Sequence, residues 1–593
     1  MSQDQNPSQR PDPEPTSRGQ RKGQRAAEAR DRKRQAALEA HQRGMVRKAP
    51  VVAGLAGAGV VVLVAAAVTA GSLVPPAGPQ VDGAAVPAAL NAVPAQSVCA
   101  GPPRLPAGAE DGTDTQFSPV STSADSRLTS VLLSDLAGRF PGSTLATLPA
   151  AAPGADGADE DDGDDSGAGE PQELTASQPE DLQQGTPATS GADGVPVREG
   201  SVADIASPGG EAGDPTAVTV EPIGGQATPS DAVSLYSAAD GDLAGTDASS
   251  CTAPAHDHWL AGATTTVGST AVLVLSNPSA SASTVDLALY GASGPVEAPG
   301  TSGIVLAPGQ SRSIVLGGLA PDEEHLAVHV TAQGGAVGAT VQQHRLFGIT
   351  PGGVEVIQPT AAPSQSAVLP GLVVPSAEAA GAVTGQDGYG QAGPAVLLAA
   401  PAAGATAEIT VSGPDGPVEL PAGGVVDVGA GSTVRFPLDG LDHNVYTVTV
   451  TADAPLVAGA RGLSGQAEGP VDLSSVSAVG PLGLERLVAR PTGAEANLVL
   501  YSEAGGAVEI TPVLSDGSLG ESRVRELGPE STRAVAFDDL ADGDDAQVAG
   551  ALLETAEGQV HAGVDVRGEQ GISAYPVVPQ QQQVSGVPVR VGY

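Results

Sequence analysis

Lysine is missing from almost the whole chain: the only three, Lys22, Lys33 and Lys48, lie in the first 50 of 593 residues. Beyond them there is no lysine for a phosphate loop, a Schiff base or a Ser-Lys pair, which excludes several enzyme classes. Aromatic residues are 2% of the chain, so any core must be built from Val, Leu, Ile and Ala. Such cores bury less area per residue, and each folded unit is expected to be modestly stable alone and to lean on its neighbours. No G-x-S-x-G elbow, H-E-x-x-H pair or Walker loop occurs. The 68 acidic residues single out no carboxylate pair for glycoside hydrolysis. No catalytic residue, cofactor or metal is therefore expected.

Positive charge is also scarce outside the N-terminal head. Met1–Pro50 carries 12 Lys/Arg against 6 Asp/Glu, a net of +6; the whole chain nets −41, so residues 51–593 carry −47. Nothing in that remainder could neutralise a phosphate backbone, which argues against nucleic acid. Long apolar runs are absent except for one, Val51 to Val74 (VVAGLAGAGVVVLVAAAVTAGSLV). As a helix it would be about 36 Å long, enough to cross a hydrocarbon core of about 30 Å. Arg43, Arg47 and Lys48 precede it, whereas the first cation after it is Arg104. By the positive-inside rule the head is cytoplasmic and the bulk lies outside. Val68-Thr69-Ala70 resembles a signal-peptidase site, but the head and the apolar run are both longer than a cleaved leader needs. A single retained membrane span is the expectation.

Cysteine occurs twice, at Cys99 and Cys251, both on the exported side. An oxidising compartment makes a disulfide the natural reading, with two free thiols as the other. In the chain-entropy model closing so long a loop is worth at most about 5 kcal/mol.

The chain divides by composition. Residues 1–50 are a basic cytoplasmic tail and 51–74 the transmembrane helix. Residues 75–148 open on a Pro/Ala spacer and carry partial order around Val131–Leu133 and Thr144–Leu148. Residues 149–215 read as an acidic low-complexity linker containing GADGADEDDGDDSGAGEPQE, too poor in apolar residues to offset chain entropy. Its aspartates fit no EF-hand frame.

After Trp259 the sequence repeats itself. Units begin AVLVLSNP at Ala271, AVLLAAPA at Ala395 and ANLVLYSE at Ala496. Runs of four to seven residues rich in Val, Leu, Ile and Thr alternate with Gly/Pro/Ser/Asp turns, the pattern of small antiparallel sandwiches. The turn Pro308-Gly309-Gln310-Ser311 aligns with Gly429-Ala430-Gly431-Ser432 and Gly528-Pro529-Glu530-Ser531. The expected fold is mainly β: tandem Ig-like antiparallel β-sandwiches at 216–350, 385–480 and 484–580.

His256-Asp257-His258-Trp259 is the densest group of chemically versatile side chains. Two histidines could offer ligands to a metal, but no distant partner is singled out. The other reading has Trp259 plugging the end of the first sandwich beside the disulfide, with the histidines solvated. Tyr290, Tyr389, Tyr446 and Tyr501 are candidates for sugar stacking or, alternatively, for core and turn packing.

Gly-Asp-Leu-Ala-Gly at 241–245, Ser-Ser-Cys-x-x-Pro-Ala-His-Asp-His-Trp at Ser249–Trp259 and Leu-x-Leu-Ser-Asn-Pro at Leu273–Pro278, behind an N-in anchor, resemble a group of actinobacterial membrane-anchored exported proteins of unknown function. The resemblance covers roughly residues 50–580. Members of that group are encoded near cell-envelope glycosyltransferases, so the resemblance implies a role in the cell envelope; it supplies no catalytic residue. The acidic insertion, and AAPAAG in place of the Asn-Pro pattern in the unit at Ala395, depart from it.

These readings converge on a single-pass cell-envelope protein with a non-catalytic extracellular β-repeat region that binds or scaffolds an envelope protein or glycan. Two alternatives stand beside it: an accessory subunit of an envelope glycosyltransferase, and an envelope-glycan hydrolase whose carboxylates the sequence does not reveal.

Overall fold

Two kinds of strand recur along the chain, and each follows from its sequence. Runs such as STVDLALYG (Ser283–Gly291) bury every second residue, the mark of a sheet with one wet face. Runs such as AVLLA (Ala395–Ala399) are buried throughout and must be covered on both faces. The computed structural model describes residues 86–89, 92–106, 119–151, 172–173, 198–209, 213–541, 546–578 and 586–589. The basic tail, the apolar run 51–74 and the aspartate cluster at 156–165 lie outside these. Among the described residues no helix is long and apolar enough to cross a membrane. Ala88–Val587 form one compact unit.

Within it four sandwiches, I to IV, share one topology. Sandwich I comprises β1 (Ala95–Cys99), β2 (Asp125–Leu133), β3 (Ser143–Thr147), β4 (Gln172–Glu173), β5 (Gly200–Ala206), β6 (Thr216–Val220), β7 (Ser230–Ala238) and β8 (Gly245–Ser250). Its sheets run β1-β6-β3-β4 and β5-β2-β7-β8, all antiparallel. In order of sequence that is 1-6-3-4 against 5-2-7-8.

Sandwich II repeats this order with β9 (Asp257–Ala263), β10 (Ser269–Asn277), β11 (Ser283–Gly291), its hairpin partner β12 (Gly294–Val296), β13 (Ile304–Leu306), β14 (Gln310–Val315), β15 (Leu326–Gly334), β16 (Gly338–Phe347) and β17 (Thr350–Ile357). Sandwich III has β18 (Ser364–Val374), helix α1 (Ala377–Thr384), β19 (Ala395–Ala399), β20 (Ala405–Gly413), β21 (Gly416–Val418), β22 (Val425–Val428), β23 (Thr433–Pro437), β24 (Asn444–Gly465) and β25 (Val471–Ser477). Here one 22-residue strand, β24, serves as both sixth and seventh strand: its first half pairs with β18 and β20, its second with β19 and β25. Sandwich IV comprises β26 (Glu485–Ala489), β27 (Glu495–Ser502), β28 (Gly506–Leu514), β29 (Arg523–Leu527), β30 (Ser531–Ala536), β31 (Val548–Glu557), β32 (His561–Gly568) and β33 (Gly571–Pro576), again 1-6-3-4 and 5-2-7-8.

The sandwich boundaries therefore differ from the sequence expectation. Residues 216–250 do not open the first of the three expected sandwiches, at 216–350, but are the last three strands of a fourth copy, which draws its other strands from the expected spacer and linker. β4 and β5 lie inside the range 149–215, so that segment is an insertion within sandwich I. It separates strands that pair in space and hides the repeat. Helix α1, capped by Ser376 Oγ accepting from Ala379 N at 3.2 Å, also departs from the all-strand expectation after residue 258. The turn alignment shifts by one residue in sandwich II: the positive-φ position is filled by Gly309, Gly431 and Glu530. Ser432 and Ser531 then each donate Oγ to the carbonyl three residues back, at 2.9 Å, and Gln310 takes that place in sandwich II.

The four copies close into a ring. The eighth strands β8, β17, β25 and β33 pack in cyclic order around a common axis. The first strand of each sandwich lies against the second and seventh strands of the next. Val98 of β1 meets Gly338; Ala261 of β9 meets Gly459; Pro370 of β18 meets Gly563. A Cβ at Gly563 would sit 2.6 Å from the Pro370 carbonyl oxygen, so glycine is needed there for the backbones to touch. β26 closes the circle on sandwich I, where Leu487 and Val488 share one core with Val131, Leu133, Val233 and Leu235. The small-residue cores thus find their second cover in a neighbour.

Candidate functional site

The axis of the ring is polar. β25 carries Asp472, 2% exposed, whose carboxylate accepts backbone N–H groups from the other three sandwiches. Thr246 N and Ile572 N reach Oδ2 at 3.1 and 2.9 Å, and Val354 N reaches Oδ1 at 3.2 Å. Burial pushes its pKa well above the usual carboxylate range, against the pull of those amides. One side chain therefore ties all four copies together, and glycines make room for it: a Cβ at Gly571 would fall 1.7 Å from Asp472 Oδ2.

One layer along, Asp247 of β8 accepts from Val356 N at 2.8 Å, and Ser573 Oγ accepts from Ala248 N at 2.8 Å. Further along, Gln358 Nε2 donates to the Ser250 carbonyl at 2.6 Å, and Ser477 Oγ donates to the Gln358 carbonyl at 2.9 Å. The axis is filled by hydrogen bonds between copies, which require complementary side chains at four separate places in the sequence.

Asp247 makes the ring's stability depend on pH. Desolvation, reinforced by nearby Glu355, pushes its pKa up to about 7. The folded value lies above the unfolded one of about 3.9, so the stabilisation is complete below that value and is lost as pH rises toward and through 7. His258, His325, His344 and His561 act the other way. Burial lowers their pKa values, so their contribution is lost as pH falls below about 6.5. Asp247→Asn keeps an acceptor for Val356 N and removes the acid. Between pH 5 and pH 8 the wild type is expected to lose stability relative to this variant, at up to about 1.4 kcal/mol per pH unit, and its melting temperature to fall accordingly. Parallel melting curves over that range would show that Asp247 does not titrate.

At one mouth of the axis, between sandwiches III and IV, is a cleft of about 500 Å3 lined by Val373, Pro375, His443, the 463–472 turn and the 567–572 turn. Its rim mixes amides, one cation and one acid: Gln466, Gln570, Arg567 and Glu569. Arg567 Nε is paired with buried Asp565 at 3.2 Å, and His443 Nδ1 is held at 3.1 Å by the Val374 carbonyl. Such a lining offers hydrogen bonds in both directions to a polar ligand.

Cys99 and Cys251 are bonded to each other across 152 residues, joining the end of β1 to the residue after β8 and so clamping the two sheets of sandwich I. The histidine cluster fits neither sequence reading whole: His256 is exposed, as the solvated reading has it. His258 is buried, its Nε2 2.7 Å from the Val337 carbonyl. Trp259 packs not at a sandwich end but at the II–III junction, with Ala399 and Val457. It stacks on His329 at 4.0 Å, and His329 Nε2 is paired with Asp257 at 2.8 Å. Among the described residues no three His, Cys, Asp or Glu side chains converge on a metal position. Tyr446 and Tyr501 are core residues, Tyr389 stacks on Phe347, and Tyr290 borders Trp259. Sequence reasoning missed Asp472, Asp247 and the cleft. The only available signal was acidic residues in eighth strands otherwise made of small and apolar side chains.

No curated protein matches the chain significantly. Among solved structures, the pilus adhesin SpaC from Lactobacillus rhamnosus GG aligns in its open conformation at 9% identity over 79% of this chain and 57% of its own, with a TM-score of 0.09. Another form of the same adhesin aligns at 9% identity over 78% and 58%, also at a TM-score of 0.09. The chain thus spans less than two thirds of that adhesin, and the likeness is too low to carry an argument. One family model matches residues 206–538, from the end of β5 in sandwich I into sandwich IV, and covers more than half of the sequence: the chain belongs to the family of unknown function DUF5719.

Proposed function

We propose that this chain is a non-catalytic envelope protein, anchored by residues 51–74 with its N-terminus in the cytoplasm. Its ring of Ig-like sandwiches stands outside the membrane as a rigid mount for an envelope protein or glycan. The observation that carries the reading is the hub: Asp472 bonds three other sandwiches at once, so the copies form one body rather than a flexible string. A rigid body keeps a binding cleft organised before its ligand arrives, which lowers the entropy cost of binding. The basic head, the apolar run, the cysteine pair and the motif at Ser249–Trp259 support the placement in an actinobacterial-type envelope.

The cleft between III and IV is the proposed contact surface. A photo-crosslinking residue placed at Gln466 or Gln570 in the full-length chain, in intact cells, is expected to capture a discrete envelope component. The same residue at exposed Glu419, just after β21 and not part of the cleft lining, is expected not to. Equal products from both positions, or none from the cleft, would remove the support for this surface.

A further inference from the structure

The junction between sandwiches II and III holds more buried positive charge than its own acids balance. Arg345 of β16 and Arg461 of β24 are 4% and 2% exposed. Both point an Nη2 at one hydroxyl, Thr264 Oγ1, at 2.7 and 3.4 Å. Half-buried Arg435 of β23 lies across β19 from Arg461: the two pair with Leu397 and Ala395 and so share a face of the sheet, with one strand between them. Against the two buried guanidinium groups stands one buried carboxylate, Glu355, 3.7 Å from Arg461 and already bonded to Gln343 Nε2 at 2.5 Å; half-buried Arg435 has the exposed acids Asp439 and Glu324 near it.

The hydrogen-bond count is unbalanced in the same direction. The Nε atoms of Arg345, Arg435 and Arg461 and Nδ1 of His325 are buried without a partner, against a single unpartnered acceptor, Glu355 Oε2. His325 belongs to the cluster, because Arg461 and Arg435 both act on its charge. Burial lowers the pKa of Arg345 to about 9, with Arg461 adding to the effect. Unpartnered buried polar atoms gathered in one place point to an ion or water between them, and an uncompensated buried charge is strongly destabilising.

We propose that the II–III junction binds a single halide-sized anion among Arg345, Arg435 and Arg461. A water molecule donates as readily as it accepts and would leave the surplus charge in place. An anion accepts only and neutralises it. Arg345 and Arg461 converge on one hydroxyl, which draws their guanidinium groups close together and favours a monatomic ion over a polyatomic one. Bound there, the anion would seal β9 of sandwich II to β19 and β24 of sandwich III and make ring closure depend on halide.

The test is thermal unfolding of the full-length protein in sodium chloride, bromide, acetate and gluconate at matched ionic strength. Chloride and bromide are expected to raise the melting temperature by about 2 °C or more over gluconate. In Arg345→Met, which keeps the side-chain volume and removes one charge, the halide increment is expected to shrink or vanish while the value in gluconate holds or rises. Equal melting in halide and gluconate overturns the proposal, as does acetate acting as well as halide or a full halide increment in Arg345→Met. Should that variant fail to fold, bromide-grown crystals of the wild type decide: an anomalous peak within bonding distance of Arg345 and Arg461 supports the site, and a water there overturns it.

Discussion

Asp472→Ala is expected to cost roughly 4 kcal/mol or more of stability, because it strands three buried N–H groups at about 1–3 kcal/mol each. Those donors belong to Thr246, Val354 and Ile572, one in each of the other sandwiches. The loss therefore falls on the joints of the ring rather than on any one sandwich. Four coupled units need not unfold in one step, so the result is best read in two ways. The first urea transition should move to lower denaturant. Amide exchange at Thr246, Val354 and Ile572 should accelerate well beyond that of sandwich-core amides such as Leu273. Asp472→Asn should fall between wild type and alanine: its oxygen can replace Oδ2 for Thr246 and Ile572, but its NH2 group then faces Val354 N–H. An unchanged midpoint in Asp472→Ala would mean that the junction strands alone hold the ring.

The sequence disclosed the strands more readily than the ring. The second strands hold the continuously apolar runs AVLVL, AVLLA and LVLY, and they are the ones covered on both faces. The third strands TVDLALY and TAEITV alternate, and they face water. Sandwich I stayed hidden because β1 and β2 are separated by residues 100–124 and β4 and β5 by residues 174–199, which breaks the even spacing that revealed the other copies. The hub was illegible for a different reason. VDLSSVS at Val471–Ser477 and QQHR at Gln342–Arg345 carry polar residues that local patterning assigns to solvent. Only the approach of a neighbouring copy buries them: Ser474 is fully buried and Gln343 1% exposed. Periodicity along one strand carries no information about a surface supplied 100 residues away. His258 illustrates the same limit, since the group that holds it is the Val337 carbonyl.

Replacing both cysteines, Cys99→Ala with Cys251→Ala, is expected to release sandwich I before the other three. In the chain-entropy model, losing a closure of 152 residues costs up to about 5 kcal/mol. Sandwich I has little else to offset that loss. Among the described residues its own core is eight buried side chains, two of them the half-cystines, whereas sandwich II gathers twenty. β2 divides its faces between two cores: Leu128 and Leu132 point into sandwich I, while Val131 and Leu133 join sandwich IV. Without the disulfide, the second sheet should stay on sandwich IV, held by Arg486 on buried Asp231 at 2.7 Å, while the first sheet, β1-β6-β3-β4, loosens. Calorimetry of the double variant should therefore show a separate transition below the main one. Exchange should open first at Val98, Leu145 and Val218, and only later at Val131 and Val233. A single transition within about a degree of wild type would show that contacts with sandwich IV suffice, and that the bond adds little to a fold already closed by its ring.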